Sequence, residues 1–374
     1  MWFPRIALTV GLLLLARPAA AEPLLFVASY AAGEEGAIST LTLDEASGTL
    51  QPMHTYRAIQ FAYYLTLAPD GKTLYATHGT LSGEGRRREF VSAFRINKTG
   101  SLSLLGCRPA HGSSACFVDS NCNVLVLANY QDGTVVSYPL TADGSIRPRS
   151  SLIQQQGSSV DAARQEGPHA HAALFGPSEK RVFVPDLGAD RIFSYRADSE
   201  TGRLEPTAQK SVAALPGAGP RHVRFHPGGE WMYGINELTG SITRYDFDAD
   251  SAALLRRETI STLPHAFSGK NGCADLAITP DGRFLYGTNR GHDSIAAYRI
   301  GERGVLERIA ITPSGGMSPQ NLAITPDGQM LLVANMSGGT IALFRIDVAT
   351  GTLSKAAAPY PIAHPACIVT AKPR

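Results

Sequence analysis

The middle of this 374-residue chain carries six ionisable residues that could together perform acid–base chemistry on an anionic small molecule. Histidine titrates near neutral pH, and arginine presents a planar fork that suits a carboxylate or a phosphate. A neighbouring carboxylate can orient either group. The six residues are His171, Arg221, His222, Glu237, Asp275 and Arg290. The alternative interpretation is a solvated channel that contains structural ion pairs.

A repeated segment explains how residues so far apart in sequence could meet. The segments 67–78, 278–289 and 324–335 share one pattern, in which Pro-Asp-Gly separates two apolar runs. Pro and Gly supply the backbone angles of a tight turn, so each copy predicts a strand, a turn and a second strand. Looser copies of the pattern occur at 118–129, 174–186 and 225–236.

The ends of the second strands recur about every 51 residues, a period that fits four short strands per repeat. These ends are Ser29, His78, Asn129, Asp186, Asn236, Asn289 and Asn335. Seven units predict an all-β fold, a seven-bladed β-propeller with four antiparallel strands in each blade. The first blade lacks a leading strand of its own, so we expect the C-terminal strand at 364–371 to join it and close the ring.

Two columns of residues converge on one face of such a ring, because the innermost strand begins where the second strand ends. The first column lies five and six residues before each turn and includes His171, Arg221, His222, Asp275 and Asn321. The second column lies at the end of the second strand and includes Asn129, Asn236, Glu237 and Arg290. His169 is expected on the same side as His171 but nearer the rim. The preceding segment 157–167 is either a plain surface loop or a loop that brings Arg164 inward over this opening.

Composition excludes several other classes of protein. The net charge of +2, with 44% hydrophobic and 18% charged residues, is ordinary for a globular protein and argues against a disordered, fibrous or nucleic-acid-binding chain. The 37 Gly and 24 Pro favour a turn-dense β fold over a helical enzyme. We interpret the short basic run at 86–88 as part of a solvated loop.

The N-terminus predicts a secretory signal peptide at 1–21. Arg5 precedes an apolar run from Ile6 to Ala16, which is shorter than the ~20 residues needed to cross a bilayer. Small residues at 19–21 suit cleavage before Glu22. We therefore expect residues 22–374 to form one propeller domain, a monomer in the periplasm or outside the cell with no membrane segment.

No motif predicts a metal or a cofactor. The five cysteines lack the spacing of a zinc site, and the chain has no phosphate-binding loop, nucleophile elbow or HExxH motif. A local disulfide among Cys107, Cys116 and Cys122 is plausible in an oxidising compartment. Because the number of cysteines is odd, at least one thiol is expected to have no partner within the chain.

Several segments resemble the seven-bladed lactonase family, which contains the propeller-type 6-phosphogluconolactonases and the 3-carboxy-cis,cis-muconate lactonizing enzymes. The most specific segments are Gly-Pro-His-Ala-His at 167–171, Gly-Pro-Arg-His at 219–222 and Ile-Asn-Glu-Leu at 235–238. The resemblance covers nearly the whole chain after residue 21. It implies that the chain opens or closes a lactone ring on an acidic or sugar-acid substrate without a metal.

The resemblance also implies roles for single residues. His171 is similar to the acid or base of the family, and Glu237 to its acidic partner. Arg221 and Arg290 are similar to groups that bind an anion or stabilise an oxyanion. Around these four catalytic candidates we expect a set of substrate-binding residues, namely His169, His222, Asp275, Asn129, Asn236 and Asn321.

Three departures from the family pattern motivate a second hypothesis. Ala115, Gln320 and the Thr-His-Gly segment at 77–79 stand where relatives often carry His, Arg and Asn-Glu. A propeller with half of its opening altered could be a non-catalytic binding protein of the Tyr-Val-Thr-Asn repeat type. Turnover of a lactone would separate the two hypotheses.

Overall fold

The seven repeats fold as seven antiparallel sheets that form a ring, so the predicted seven-bladed β-propeller is confirmed. The computed structural model describes residues 22–81 and 87–371. The predicted signal peptide lies outside the described residues. Within the described residues no helix is long and apolar enough to cross a membrane.

The strands of each blade are given below in their order across the sheet, from the central channel outward to the rim. In that order, blade 1 contains β29 (Pro365–Ala371), β1 (Leu24–Ser29), β2 (Ala37–Asp44) and β3 (Thr49–Tyr56). Blade 2 contains β4 (Leu65–Leu67), β5 (Thr73–Leu81), β6 (Arg87–Ile96) and β7 (Leu102–Pro109). Blade 3 contains β8 (Ala115–Ser120), β9 (Val124–Asn129), β10 (Thr134–Pro139) and β11 (Ser151–Gln154). Blade 4 contains β12 (Leu174–Phe175), β13 (Arg181–Asp186), β14 (Arg191–Ala197) and β15 (Leu204–Ala213).

The remaining blades follow the same order. Blade 5 contains β16 (Pro220–Phe225), β17 (Trp231–Asn236), β18 (Ser241–Asp248) and β19 (Ala253–Ser261). Blade 6 contains β20 (Gly272–Ile278), β21 (Phe284–Arg290), β22 (Ser294–Ile300) and β23 (Leu306–Pro313). Blade 7 contains β24 (Pro319–Ile324), β25 (Met330–Asn335), β26 (Thr340–Ile346), β27 (Leu353–Lys355) and β28 (Tyr360–Pro361). In blade 7 the outermost strand is split, because β27 and β28 both pair with β26. Two short 3-10 helices lie at Gly33–Glu35 and Glu302–Gly304.

The C-terminal strand closes the ring as predicted. Strand β29 pairs antiparallel with β1, and Val27 lies opposite Ile368. On the inner side of the ring β29 also packs against β24 and β4, the innermost strands of the two neighbouring blades. The seven innermost positions of the ring are therefore all occupied, and the edge of β1 that would otherwise be unpaired is covered by β29.

The turn between the first two strands of blade 6 shows how the repeated motif specifies its local structure. Gly282 has φ +75°, a left-handed conformation that glycine adopts at no steric cost. The Asp281 carboxylate accepts a hydrogen bond from the backbone N–H of Arg283 at 3.1 Å. The Thr279 hydroxyl accepts one from the backbone N–H of Phe284 at 3.0 Å, where the second strand begins.

The hydrophobic core lies between neighbouring blades. Every residue of β9 and of β25 is buried, whereas the outer strand β7 is largely exposed or half-buried. In one of the core clusters, Phe284 and Tyr286 of blade 6 pack with Leu331 and Phe344 of blade 7. Burial of such side chains stabilises the ring and holds the inner strands in fixed positions around the channel.

The prediction of a local disulfide is wrong. All five cysteines are free thiols, and Cys107, Cys116 and Cys122 are half-buried, buried and exposed respectively. Cys116 lies on an inner strand of blade 3 and its thiol faces the backbone carbonyl of His171 at 3.3 Å. Proximity in sequence does not bring these side chains together, because they belong to different strands and turns of two blades.

Candidate active site

The two predicted columns converge on a cavity of about 260 Å³. All four catalytic candidates line it. On the side of blades 3 to 6 the lining residues include Tyr130, Arg164, His171, Arg221, Glu237 and Arg290. The other side is formed largely by blades 1 and 2, with Tyr30, Phe61, Tyr63, Arg87 and Glu89.

Bulges in the innermost strands aim the first column. In β16, Pro220 pairs with Asn236 and His222 pairs with Ile235, so Arg221 is an extra residue with no partner in the register. Equivalent shifts occur at 115–117 in β8, at 273–276 in β20 and at 319–321 in β24. A bulge breaks the regular alternation of a strand and re-aims a side chain. Arg221 and His222 can therefore both serve the channel, although they are adjacent in sequence.

Glu237 is the centre of the charged cluster. Its Oε2 lies 3.1 Å from Nε of Arg221 and 2.9 Å from Nη2 of Arg290, and its Oε1 lies 2.8 Å from Nη2 of Arg164. Oε2 is also 3.8 Å from Nε2 of His171. Four side chains from different parts of the chain thus approach one buried carboxylate. Three of them are arginines, so the cluster carries more positive than negative charge.

The arginines keep Glu237 ionised. Burial alone would raise the pKa of this carboxyl group, but the charges of Arg290 and Arg221 and the hydrogen bond from Arg164 outweigh burial and hold its pKa below the usual value. Glu237 is therefore a permanent carboxylate at neutral pH. It is better suited to orienting its neighbours and stabilising positive charge than to donating a proton.

His171 is a neutral imidazole. Burial, followed by the positive charge of Arg221, holds its pKa well below the usual value of histidine. Within the described part of the chain its Nδ1 has no hydrogen-bond partner, and the nearest carboxylate oxygen to Nε2 is the one 3.8 Å away. A neutral imidazole with an unpaired nitrogen, next to an ionised carboxylate, can accept a proton from water.

Arg290 connects the cluster to the opposite side of the ring. Its Nη1 donates to Oε1 of Gln320 at 3.1 Å, and Nε2 of Gln320 donates to the hydroxyl of Tyr63 at 2.6 Å. Arg290 is also held by the carbonyl of Gly272 at 3.0 Å. Gln320 thus links blade 6 to blade 2 across the opening.

His222 and Asp275 form a second layer and do not line the cavity. Nδ1 of His222 lies 2.9 Å from Oδ1 of Asp275, and both side chains are buried. Asp275 also accepts a hydrogen bond at 2.6 Å from Nδ2 of Asn321, whose Oδ1 accepts one from the backbone of Ile368 in the closing strand. Burial and the charge of Arg221 lower the pKa of His222 to about 3, so this imidazole is neutral. The layer contacts Arg221, whose Nη1 lies 3.2 Å from Nε2 of His222.

Two of the three predicted asparagines make structural hydrogen bonds near the cavity, Asn129 to the preceding blade and Asn236 within its own blade. Nδ2 of Asn129 donates at 3.0 Å to the carbonyl of Ala110, which follows the outer strand of the preceding blade. Nδ2 of Asn236 donates to the hydroxyls of Ser241 and Thr243. Both are buried and outside the cavity lining, so their placement favours a structural role. The amide groups of the other strand-end asparagines, Asn289 and Asn335, also donate to nearby backbone carbonyls, which explains why Asn recurs at this position.

His169 lies outside the lining as well. Its ring stacks on Tyr130 with centroids 4.7 Å apart, its Nδ1 lies 3.0 Å from the carbonyl oxygen of Tyr130, and its Nε2 lies 3.3 Å from the Glu166 carboxylate. The strand predicted around it is not regular, because β12 contains only two residues. His169 therefore braces Tyr130, which does line the cavity.

The interpretation of the basic run 86–88 as a solvated loop is wrong for Arg87. This residue begins β6, is half-buried and lines the cavity. Its guanidinium carbon lies 5.3 Å from the ring centroid of Tyr30 and 5.5 Å from that of Phe61. Tyr30, which follows the second-strand end Ser29, could have been found by extending the second column to the first blade.

Cys116 is the one cysteine in the lining, and its environment opposes nucleophilic chemistry. Burial raises its pKa to about 12, so it remains a thiol. Over residues 22–81 and 87–371, no group of three or more His, Cys, Asp or Glu side chains is placed to hold a metal ion. The polar groups that line the cavity are the imidazole of His171, two carboxylates, four guanidinium groups and the hydroxyls of Tyr30, Tyr63, Tyr130 and Ser114.

The fold is a closed seven-bladed propeller with a buried charged cluster at one mouth of its channel, and sequence comparison identifies the family. Residues 24–370 match the family model described as lactonase, 7-bladed β-propeller. The chain belongs to this lactonase family, and the resemblance seen in its motifs is confirmed.

Individual relatives agree with the family match. The chain is 30% identical over 292 residues to the 6-phosphogluconolactonase of Bacillus subtilis, covering 76% of this chain and 81% of the relative. It is 32% identical over 344 residues to the 6-phosphogluconolactonase of Formosa agariphila, covering 88% and 94%. The solved structure of a periplasmic gluconolactonase from Pseudomonas aeruginosa is similar with a TM-score of 0.87 and 27% identity, covering 94% of this chain and 99% of that one.

Proposed function

We propose that this protein is an exported, metal-independent lactonase that hydrolyses the lactone of a sugar acid. The observation that carries the proposal is the shared cavity of His171, Glu237 and Arg221, in which a neutral imidazole faces a fixed carboxylate and a guanidinium group. This combination provides a proton acceptor, a group that stabilises the charge formed on that acceptor, and a donor for an oxyanion.

His171 would act first. It takes a proton from a water molecule as the water oxygen attacks the lactone carbonyl carbon. The resulting imidazolium is stabilised by the Glu237 carboxylate, whose Oε2 lies 3.8 Å from Nε2 of His171. When the tetrahedral intermediate collapses, the bond between the carbonyl carbon and the ring oxygen breaks, and the imidazolium returns the proton to the ring oxygen. The product is a hydroxy acid, which ionises at neutral pH.

Arg221 would stabilise the negative charge that develops on the carbonyl oxygen. Its Nε bonds to Glu237, and its Nη1 contacts His222 and the carbonyl of Ala274, while nothing among the described residues bonds to Nη2. A donor left open in a dry, pre-arranged site stabilises an oxyanion strongly. Arg290 adds positive charge on the same side of the cavity, with its donors already occupied.

Export is supported by two observations. The sequence before residue 22 has the charge, the apolar run and the small residues of a secretory signal. One structural relative is named as a periplasmic gluconolactonase. We propose the periplasm or the extracellular space as the site of action, and a monomer as the working unit.

The proposal is tested by lactone hydrolysis. Purified residues 22–374 should accelerate the opening of sugar-acid lactones above the spontaneous rate, and Arg221→Ala should reduce kcat/KM by at least about 100-fold. Arg244→Ala is the control, because Arg244 is also largely buried and pairs with a carboxylate, Glu258, but lies outside the cavity. Ligand binding without turnover by the wild type would instead support the non-catalytic hypothesis. An Arg221→Ala rate within threefold of wild type would exclude the proposed role of this residue.

A further inference from the structure

The cavity wall contributed by blades 1 and 2 is aromatic, unlike the arginine-rich wall across the ring. The ring of Tyr30 lies 5.6 Å from that of Phe61 and 5.3 Å from that of Tyr63, in both cases edge to face. All three residues line the cavity. We call Tyr30, Phe61, Tyr63, Arg87 and Glu89 the aromatic wall.

The only charges on this wall among the described residues cancel one another. Nε of Arg87 lies 2.6 Å from Oε1 of Glu89, and the two side chains are 27% and 7% exposed. The Arg87 guanidinium also contacts the hydroxyl of Tyr30. Burial raises the pKa of Glu89, and the charge of Arg87 and the backbone N–H groups of Ser114 and Ala115 oppose that rise. The aromatic wall therefore has no net charge.

A glycine in the second column makes room for this arrangement. Gly79 lies within β5, the second strand of blade 2, which continues past its predicted end at His78 to Leu81. In the repeat it corresponds to Glu237 of blade 5. A Cβ atom at Gly79 would lie only 2.9 Å from Cγ and Cδ of Arg87. The missing side chain is thus replaced by the stem of Arg87, which reaches the cavity from the neighbouring strand β6.

We propose that the aromatic wall binds the non-reacting end of the substrate and selects an unphosphorylated, polyhydroxylated lactone over its phosphate ester. This inference rests on the proposed lactonase function. The faces and edges of Tyr30 and Phe61 can pack against the C–H groups of a sugar, as exposed aromatic surfaces do in ligand sites. Arg87 can donate to hydroxyl groups and Glu89 can accept from them, so the ion pair matches a neutral polyol.

A phosphate group would be poorly placed here. A phosphate near Arg87 would also lie near the Glu89 carboxylate, and repulsion between like charges disfavours that ligand. The three guanidinium groups around Glu237 lie beside His171, so a phosphate bound to them would occupy the place that the proposed mechanism gives to the lactone carbonyl. In this proposal the arginine-rich wall binds the reacting end of the substrate, and the aromatic wall binds its hydroxylated end.

The experiment compares D-glucono-1,5-lactone with its 6-phosphate ester. Wild-type protein should show a kcat/KM at least about tenfold higher for the unphosphorylated lactone, and Glu89→Gln should reduce this preference by about tenfold. Glu205→Gln is the matched control, because Glu205 pairs with Arg196 on an outer strand and its loss should leave the preference unchanged. A wild type that prefers the phosphate ester would overturn the inference, as would a Glu89→Gln preference within twofold of wild type.

Calorimetric binding of gluconate and 6-phosphogluconate provides a readout that does not need turnover. Gluconate should bind more tightly to the wild type, and Phe61→Leu, which keeps an apolar side chain but removes the ring, should weaken gluconate binding about fivefold. If neither lactone is hydrolysed but gluconate still binds more tightly, the lactonase proposal is wrong and the proposed selectivity of the aromatic wall is supported. If both lactones are hydrolysed equally well and both acids bind equally, the proposed selectivity of the aromatic wall is wrong and the lactonase proposal is supported.

Discussion

Oε2 of Glu237 lies 3.8 Å from Nε2 of His171 and accepts contacts from two guanidinium groups at the same time. The carboxylate therefore links the proposed base to the proposed anion-stabilising arginines. Because the arginines lower the pKa of Glu237, its charge is available throughout the neutral range.

Glu237→Gln should lower kcat by at least about 100-fold, because the imidazolium formed on His171 would lose its counter-charge while the surrounding guanidinium groups remain. The effect on KM should be smaller than the effect on kcat. Initial rates on a hydrolysed lactone measure both. Glu258→Gln serves as the control, since Glu258 pairs with Arg244 on blade 5 away from the cavity. Equal kcat values for Glu237→Gln and wild type would contradict this role.

Stability should fall as the pH decreases from about 6.5 to 4, in part because of His78. Burial lowers the pKa of His78 to about 4 in the folded protein, whereas a histidine in an unfolded chain titrates near 6.5. Between these values the unfolded state binds more protons, so folding loses free energy as the pH falls through this window. The contribution at pH 4.5 is about 2 kcal/mol.

Denaturant unfolding at pH 7 and pH 4.5 checks this expectation. In His78→Gln the difference in the free energy of unfolding between the two pH values should shrink by that amount. The exposed His54→Gln variant should retain the full difference. An unchanged pH dependence in His78→Gln would contradict the role of His78.

Removal of residues 364–374 should destabilise the whole ring, because it uncovers the edge of β1 and the inner ends of two neighbouring blades. We expect insoluble protein or a fall in Tm of at least about 10 °C. A chain that ends at Ala371 is the control and keeps the closing strand. Thermal unfolding that is the same for both truncations would show that ring closure contributes little.

Five thiols should titrate in denaturant without reductant, because the structure contains only free cysteines. In the native protein the exposed Cys122 should react first with a thiol reagent. Cys116 and Cys367 should react last, since burial raises the pKa of each to about 12. Three thiols instead of five would indicate a disulfide and contradict the free-cysteine arrangement.

The sequence predicted the ring because its repeat is regular. A turn separates the first two strands of each repeat at a similar position, and this regularity brings His171, Arg221, Glu237 and Arg290 to one mouth of the channel. The pairing of β29 with β1 was also predictable, because the first repeat lacks a leading strand and the chain supplies one at its end.

The details that depend on irregular backbone were not predictable. The bulge at Arg221 turns two consecutive residues toward the channel, and a strand pattern with period two does not reveal it. Arg87 follows a segment without periodicity, so its charge suggested that it is exposed to solvent. In the structure its side chain lines the cavity and packs in the space that a side chain at position 79 would fill. Arg164 reaches Glu237 from a loop whose path depends on tertiary contacts.

The most direct test of His171 as the proton acceptor is the rate of acid release from D-glucono-1,5-lactone at pH 7, measured in a pH-stat and corrected for spontaneous hydrolysis. Wild-type protein should accelerate the release, and His171→Ala should lower kcat/KM by at least about 100-fold while its circular dichroism and Tm show a folded propeller. A folded His171→Ala protein that retains at least a third of the wild-type rate would contradict the mechanism.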